Sequence, residues 1–194
     1  MMQTSKTLTF EEYLTYDDGT DNRYELVDGE LVMVPLPTAD HSDVIDLLSK
    51  TFSLEIEKLG ITWIVKRDVG TYVGTNPETG KERSRTPDLC VITQEQWNEV
   101  KANKKAAAVL KTPPLLIVEV VSPGSKRADY KEKETEYKNA GVREYWIIDL
   151  LKSKITVLSL VNGDYQKTEF TNNQLIISQI FPELSLSAQK VLSV

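Results

Sequence analysis

The sequence predicts a mixed α/β fold: a central mixed sheet flanked by helices, with an N-terminal hairpin and a C-terminal β-meander. Three observations predict it. Apolar strand-like runs at 87–93, 115–121 and 144–150 are separated by a surface-type excursion and a helix, the order that builds a mixed sheet. Asp28-Gly29 and Asn162-Gly163 each sit between extended runs, the strongest short-range hairpin signal. Val44, Leu47, Leu48, Thr51, Phe52 and Leu59 recur at helical spacing over 41–59. At 194 residues the chain suits one domain, 1–194, with a core of its own.

Each element follows from local chemistry. Thr9-Phe10-Glu11-Glu12 has the capping-box pattern, hydroxyl and carboxylate placed to satisfy free amides of a short helix. Arg23-Tyr24-Glu25-Leu26-Val27 and Glu30-Leu31-Val32-Met33-Val34 are the strands about Asp28-Gly29, and Pro35 and Pro37 end them. Asp40 is the expected N-cap of the helix that Gly60 terminates. Residues 61–74 read as a strand, Asn76 to Gly80 as a turn, and Pro87 to Thr93 as a short buried strand. Gln94 to Lys111 has helical propensity without an apolar stripe. Pro113-Pro114 resets the chain before Leu115 to Val121, a strand with one charge, Glu119, that Ser122-Pro123-Gly124 breaks. A helix from Asp129, as its cap, to Ala140 closes at Gly141, and strands near 154–160 and 164–170 finish the meander.

Composition narrows the function. Hydrophobic residues at 40%, charged residues at 27% and a mean hydropathy of −0.31 describe an ordinary globular protein. No apolar run approaches the roughly 18–20 residues that span a bilayer, so no membrane partner is expected. Met1 to Phe10 lacks the charged-then-apolar pattern of a leader, and the one cysteine, Cys90, excludes an intrachain disulfide; both fit a cytoplasmic protein. Cys90 lies in the apolar run Leu89-Cys90-Val91-Ile92 and reads as core; with one histidine beside one cysteine, structural zinc is excluded. A net charge of −6 and a pI near 5.0 oppose nonspecific attraction to nucleic acid. Phosphate contact would rest on metal or on local clusters: Lys81, Arg83 and Arg85, or Lys101, Lys104, Lys105 and Lys111, the second reading better as a solvated face.

Glu119 demands explanation. Both faces of Leu115 to Val121 are apolar, so its carboxylate is buried whichever way it points. Unpaired, it costs several kcal/mol, of order 2–7 even for a neutral polar group. A buried ion pair, a protonated acid or a bound metal each resolves that cost. Asp88 enters a neighbouring strand straight after Pro87, and two carboxylates at adjacent strand ends repel unless a cation lies between them. On the helix from Asp129, Tyr130, Lys133, Tyr137 and Ala140 share one face. Packed inward, that face brings the Lys133 ammonium toward the carboxylates; otherwise it snorkels to solvent or pairs with Asp129.

Pro87-Asp88, Glu119-Val120-Val121-Ser122-Pro123, Asp129, Lys133, Tyr137, Gly141-Val142 and Glu144-Tyr145-Trp146 together resemble the Uma-type "putative restriction endonuclease" family. That family was formerly a domain of unknown function and belongs to the PD-(D/E)xK nuclease superfamily. The resemblance runs from Arg23 to Gly29 through His41-Ser42 to the meander, nearly the whole chain. It implies a restriction-endonuclease-like core and a metal-dependent endonuclease acting on DNA. Asp88, Glu119 and the Val120 carbonyl would hold Mg²⁺ or Mn²⁺, with Lys133 orienting the attacking water. Glu25 matches an acidic position and is either a third carboxylate or a surface hairpin residue near Arg23. His41, the one histidine, reads by itself as a helix-start or structural residue; the resemblance places it near the site, as a phosphate contact or proton shuttle; Ser122 turns the strand end or touches phosphate. The superfamily's lysine two residues after the acid is here Val121, and Lys133 looks like its migrated substitute. A homodimer is implied, placing two sites on two strands. The alternative is a catalytically inactive nucleic-acid- or protein-binding homodimer that retains the fold.

Overall fold

Turn and cap residues set the limits of each element before packing acts. The computed structural model describes residues 7–122 and 128–194. Met1 to Lys6, part of the stretch read for a leader, and Pro123 and Gly124, expected to break the strand, lie outside them. The full capping box at Thr9 and Glu12 opens α1 (Phe10–Leu14). β1 (Tyr24–Val27) and β2 (Glu30–Met33) pair across Asp28 and Gly29, whose φ angles of 52° and 77° are what a two-residue hairpin turn requires.

α2 (Ala39–Leu59) begins from Thr38, not from Asp40. Thr38 holds the extended cap conformation and its hydroxyl accepts the His41 N–H, while Asp40 lies inside the first turn. Gly60 ends it in the left-handed conformation, φ 63°. The span 61–74 is not one strand but two, β3 (Trp63–Lys66) and β4 (Gly70–Thr75), interrupted where Asp68 takes φ 56°. After the turn at Asn76 to Gly80 come β5 (Glu82–Arg85) and β6 (Leu89–Thr93). α3 (Gln94–Ala102) starts from a second capping box, Thr93 with Gln96, and stops well short of Lys111. The rest of that excursion returns as β7 (Val109–Leu110), which adds parallel to β4. Gly70 makes that approach possible: a Cβ there would stand 2.8 Å from Val109 Cγ2.

β8 (Leu116–Val120) carries Glu119. A π turn (Ala128–Glu132) leads into α4 (Lys133–Ala140), closed by Gly141. β9 (Glu144–Asp149), β10 (Lys154–Val161), β11 (Asp164–Phe170) and α5 (Ala188–Leu192) complete the described chain. Asp129, expected as a cap, lies within the π turn with its side chain buried.

Two sheets result. One is β2-β1-β5-β4-β7; the other, β11-β10-β9-β8-β6-β3, is mixed, with β8 and β9 parallel. Strand alternation divides the six-stranded sheet into two packed faces. Leu116, Val118 and Val120 point with Trp146 and Ile148 toward Phe52 and Leu48 of α2 and toward the C-terminal segment. Ile117 and Val121 point the other way, with Cys90, Ile92, Tyr145 and Ile147, toward Tyr137 of α4. Each fully buried Leu, Ile, Val or Phe contributes about 1.5–3 kcal/mol, so two such faces can carry the cost of a few buried charges. Glu119 shares parity with Ile117 and Val121 and therefore faces α4. Among the described residues no helix is long and apolar enough to cross a membrane.

Candidate functional site

The last ladder pair of β6 and β8 is Leu89 with Val118, so one step further brings Asp88 beside Glu119. Asp88 follows Pro87, which delivers it at the start of β6. Its Oδ2 accepts the Val120 N–H at 2.7 Å, closing the end of the ladder. His41 approaches from the first turn of α2, its Nε2 standing 3.1 Å from Asp88 Oδ1. Glu119 itself is 3% exposed, and Asp88 keeps a 24% exposed side chain. The pair therefore has one sealed member and one open to solvent.

Lys133, the first residue of α4, reaches inward. Its Nζ lies 2.9 Å from Glu119 Oε2 and 3.1 Å from Asp129 Oδ1, so it pairs with both acids rather than snorkelling outward. One turn on, the Tyr137 hydroxyl donates to Glu119 Oε1 at 2.6 Å. The aromatic stripe expected on this helix packs as the spacing implies, and Tyr137 adds a polar tip aimed at the carboxylate. Tyr145 buttresses the arrangement: its ring stacks edge-on with Tyr137, and its hydroxyl donates to the Asp129 carbonyl. Val121, two residues after Glu119, is buried among apolar neighbours on the same face. The ammonium comes from α4 because that position holds no cation.

Charge states follow from this burial. Desolvation pushes the Glu119 carboxyl well above the usual carboxylate range; Lys133 pulls it back, and the negative charges of Asp88 and Asp129 add to the rise. Burial alone would pull Lys133 down. The carboxylates of Glu119, Glu25 and Asp129 outweigh it and hold the lysine above its ordinary value, as an ammonium. Burial, then the Glu119 charge, keeps the Tyr137 phenol protonated and a donor. Several acids gathered about one ammonium make a site deficient in positive charge.

Glu25 is neither exposed nor paired with Arg23, which meets Asp68 instead. Its Oε2 lies 3.1 Å from Arg85 Nη1, and its Oε1 accepts the Thr86 N–H at 2.9 Å. Arg85 is 4% exposed and forks onto Glu136, Nε to Oε2 at 2.6 Å and Nη2 to Oε1 at 2.9 Å. Arg83 pairs with Asp28 and lies 3.2 Å from Glu136. Arg83 and Arg85 of the first basic cluster are thus spent on the protein's own acids instead of facing a phosphate, because buried acids need partners more than the surface needs cations. Of the second cluster, Lys111 meets Glu11 at 2.9 Å, and Lys101, Lys104 and Lys105 are exposed. Cys90 is buried, its thiol pushed up to about 12 by desolvation, and takes no part. Ser122 lies two residues past the end of β8 and is half-buried.

Asp88 and Glu119 offer hard oxygens on adjacent strands. Among the described residues no group of three or more His, Cys, Asp and Glu side chains converges on a metal position. Two carboxylates suit a small hard cation that keeps most of its water, and the Asp88 side chain, 24% exposed, gives solvent access on one side. Their hard oxygens are of the donor type that Mg²⁺ or Mn²⁺ prefers. Tyr137 was read as packing, Arg85 as part of a basic cluster open to phosphate, and Glu136 carries no local signal.

A model of the Uma2 family, described as "Putative restriction endonuclease", matches residues 10–189. An uncharacterised protein of Synechocystis is 27% identical over 150 residues, covering 77% of this chain and 78% of that one. Among solved structures, one described as a "putative nuclease belonging to DUF820", from Anabaena variabilis, is similar at a TM-score of 0.75. It is 18% identical and covers 96% of this chain and 98% of its own; at that identity the likeness is one of fold.

Proposed function

The chain belongs to the Uma2 "Putative restriction endonuclease" family, and on that basis we propose that it is a metal-dependent endonuclease hydrolysing DNA phosphodiester bonds. The observation that carries this reading is the buried Lys133 ammonium, held 2.9 Å from Glu119 where Asp88 opens the same site to solvent. In this reading Asp88 and Glu119, with the Val120 main-chain carbonyl, would hold Mg²⁺ or Mn²⁺. When bound, the cation supplies Lewis-acid stabilisation of the phosphate's developing charge and favours ionisation of a bound water.

The chain's own groups do the rest. The Lys133 ammonium, kept charged by its acids, orients the attacking water in line and stabilises charge growing on a phosphate oxygen. Tyr137 fixes the Glu119 carboxylate by a bond to one oxygen, leaving lone pairs on both oxygens for further contacts. His41 orients Asp88 and stands where it can contact a phosphate or relay a proton. Glu25 holds Arg85 and the Thr86 N–H beside the entry to Asp88 and adds to the field that keeps Lys133 charged. The 194 residues act as one nuclease domain, in the cytoplasm, as a homodimer with one site for each strand of a duplex.

The closed Glu119–Lys133–Asp129 ion pairing also supports a second reading, a silent binding module in which these charges only hold the fold. Calorimetric titration with Mn²⁺ separates the two. The nuclease reading expects one site per chain that Asp88→Asn weakens strongly; no binding by the wild type favours the silent module.

A further inference from the structure

One guanidinium joins the two segments that build the site. Arg85 precedes Asp88 by three residues, with Thr86 and Pro87 between, and Glu136 follows Lys133 by three on α4. The bidentate contact between Arg85 and Glu136 therefore ties the approach to Asp88 directly to the helix that presents Lys133. Glu25 clasps the same guanidinium and the next backbone amide, Thr86 N–H, from β1. Arg83 adds a contact to Glu136 at 3.2 Å. All three principal members, Arg85, Glu25 and Glu136, are buried, at 4%, 9% and 5% exposure.

Stability alone does not account for such a network. Desolvating an arginine and two acids costs as much as their attraction returns, and well-packed apolar residues of similar volume serve stability equally well. What a bidentate fork adds is fixed distance and angle. α4 is eight residues long and enters through a π turn, and the fork anchors it beside the Tyr137 bond to Glu119.

We propose that Arg85 and Glu136 are positioning residues of the candidate site, whose paired side chains set where α4 places the Lys133 ammonium relative to Asp88 and Glu119. The placement rests on geometry alone; its catalytic consequence rests on the nuclease reading above. A misplacement of about 1 Å suffices to cost on the order of 100-fold in rate.

The test observes Lys133 directly. Proton–nitrogen NMR of the lysine ammonium groups, assigned by loss in Lys133→Met, is recorded for wild type, Glu136→Gln, Arg85→Lys and the double variant Arg85→Met/Glu136→Met. In the wild type the buried ammonium exchanges slowly and gives its own signal. We expect Glu136→Gln and the double variant to shift that signal or lose it to exchange, while amides of α5, packed on the opposite face of the six-stranded sheet, stay in place; Arg85→Lys, which keeps charge without the fork, falls between. Plasmid cleavage is expected to drop about tenfold or more in kcat at unchanged KM. A Lys133 signal unchanged in a folded double variant, which leaves only Glu25 without its guanidinium, overturns the proposal. A signal that responds as expected in a wild type that cleaves nothing upholds the positioning role and removes only the nuclease reading.

Discussion

Lys133 Nζ sits 2.9 Å from Glu119 Oε2, and Asp129 Oδ1 holds the same ammonium from the other side at 3.1 Å. Glu119 does most to keep the lysine charged, and Glu25 and Asp129 add to it, so acids remain beside the ammonium when Glu119 is neutral. Glu119→Gln should leave Lys133 paired and relieve repulsion from Asp88 and Asp129. Metal-free stability is expected to change by less than about 1 kcal/mol, or to rise, in denaturant unfolding with EDTA. A loss of about 3–5 kcal/mol, the cost of breaking a buried pair, would mark Glu119 as a structural partner of the lysine.

Tyr137→Phe removes one buried hydroxyl and no packing volume. The Glu119 oxygen it served, at 2.6 Å, loses a donor in a place water does not reach. Unfolding should show a loss of about 1.5–3 kcal/mol, the range for a hydrogen bond to a charged group. A loss under about 0.5 kcal/mol would mean that Glu119 is protonated and satisfied elsewhere.

What the sequence disclosed and what it hid have separate physical causes. A charge inside Leu115 to Val121 is conspicuous because strand alternation leaves it no exposed face. The helical stripe of Lys133 and Tyr137 is legible for the same reason of period. Arg85 was indistinguishable from a surface cation because its partners, Glu136 and Glu25, lie 51 and 60 residues away and are met only across the fold. Asp129 obeys the local rule for a cap, yet the buried contact with Lys133 inside a π turn prevails over an exposed capping bond. At α2, Thr38 and Asp40 are both good caps, and only backbone conformation selects Thr38.

Asp28 offers a pH test remote from the site. Its hydrogen bond with Arg83 holds the carboxyl below the usual range, against some desolvation, and Asn76 helps. A depressed folded pKa gives stability that is fully present above the unfolded value, about 3.9, and lost as pH falls through the folded one. Asp28→Asn, at a φ of 52° that asparagine tolerates, should flatten the acid limb of unfolding stability below about pH 4. The difference should stay within about 1 kcal/mol because the side chain is 34% exposed. Parallel acid limbs in wild type and variant would rule the contribution out.

His41 touches Asp88 through Nε2 at 3.1 Å, while the cap bond of α2 uses only its backbone N–H. His41→Asn should accordingly leave the melting temperature nearly unchanged and raise the Mn²⁺ dissociation constant about 10-fold, as loss of a ligand-orienting partner does. An unchanged dissociation constant would place His41 outside the metal's surroundings.

The most direct measurement is cleavage of supercoiled plasmid with and without Mn²⁺ or Mg²⁺, comparing wild type with Lys133→Ala. We expect nicked and linear products only with the cation and only from the wild type, with Lys133→Ala down on the order of 100-fold or more, since the ammonium serves as an electrostatic stabiliser. Lys133→Ala cutting as fast as a wild type that does cut, or a folded, metal-loaded wild type that leaves the plasmid intact, would contradict that expectation.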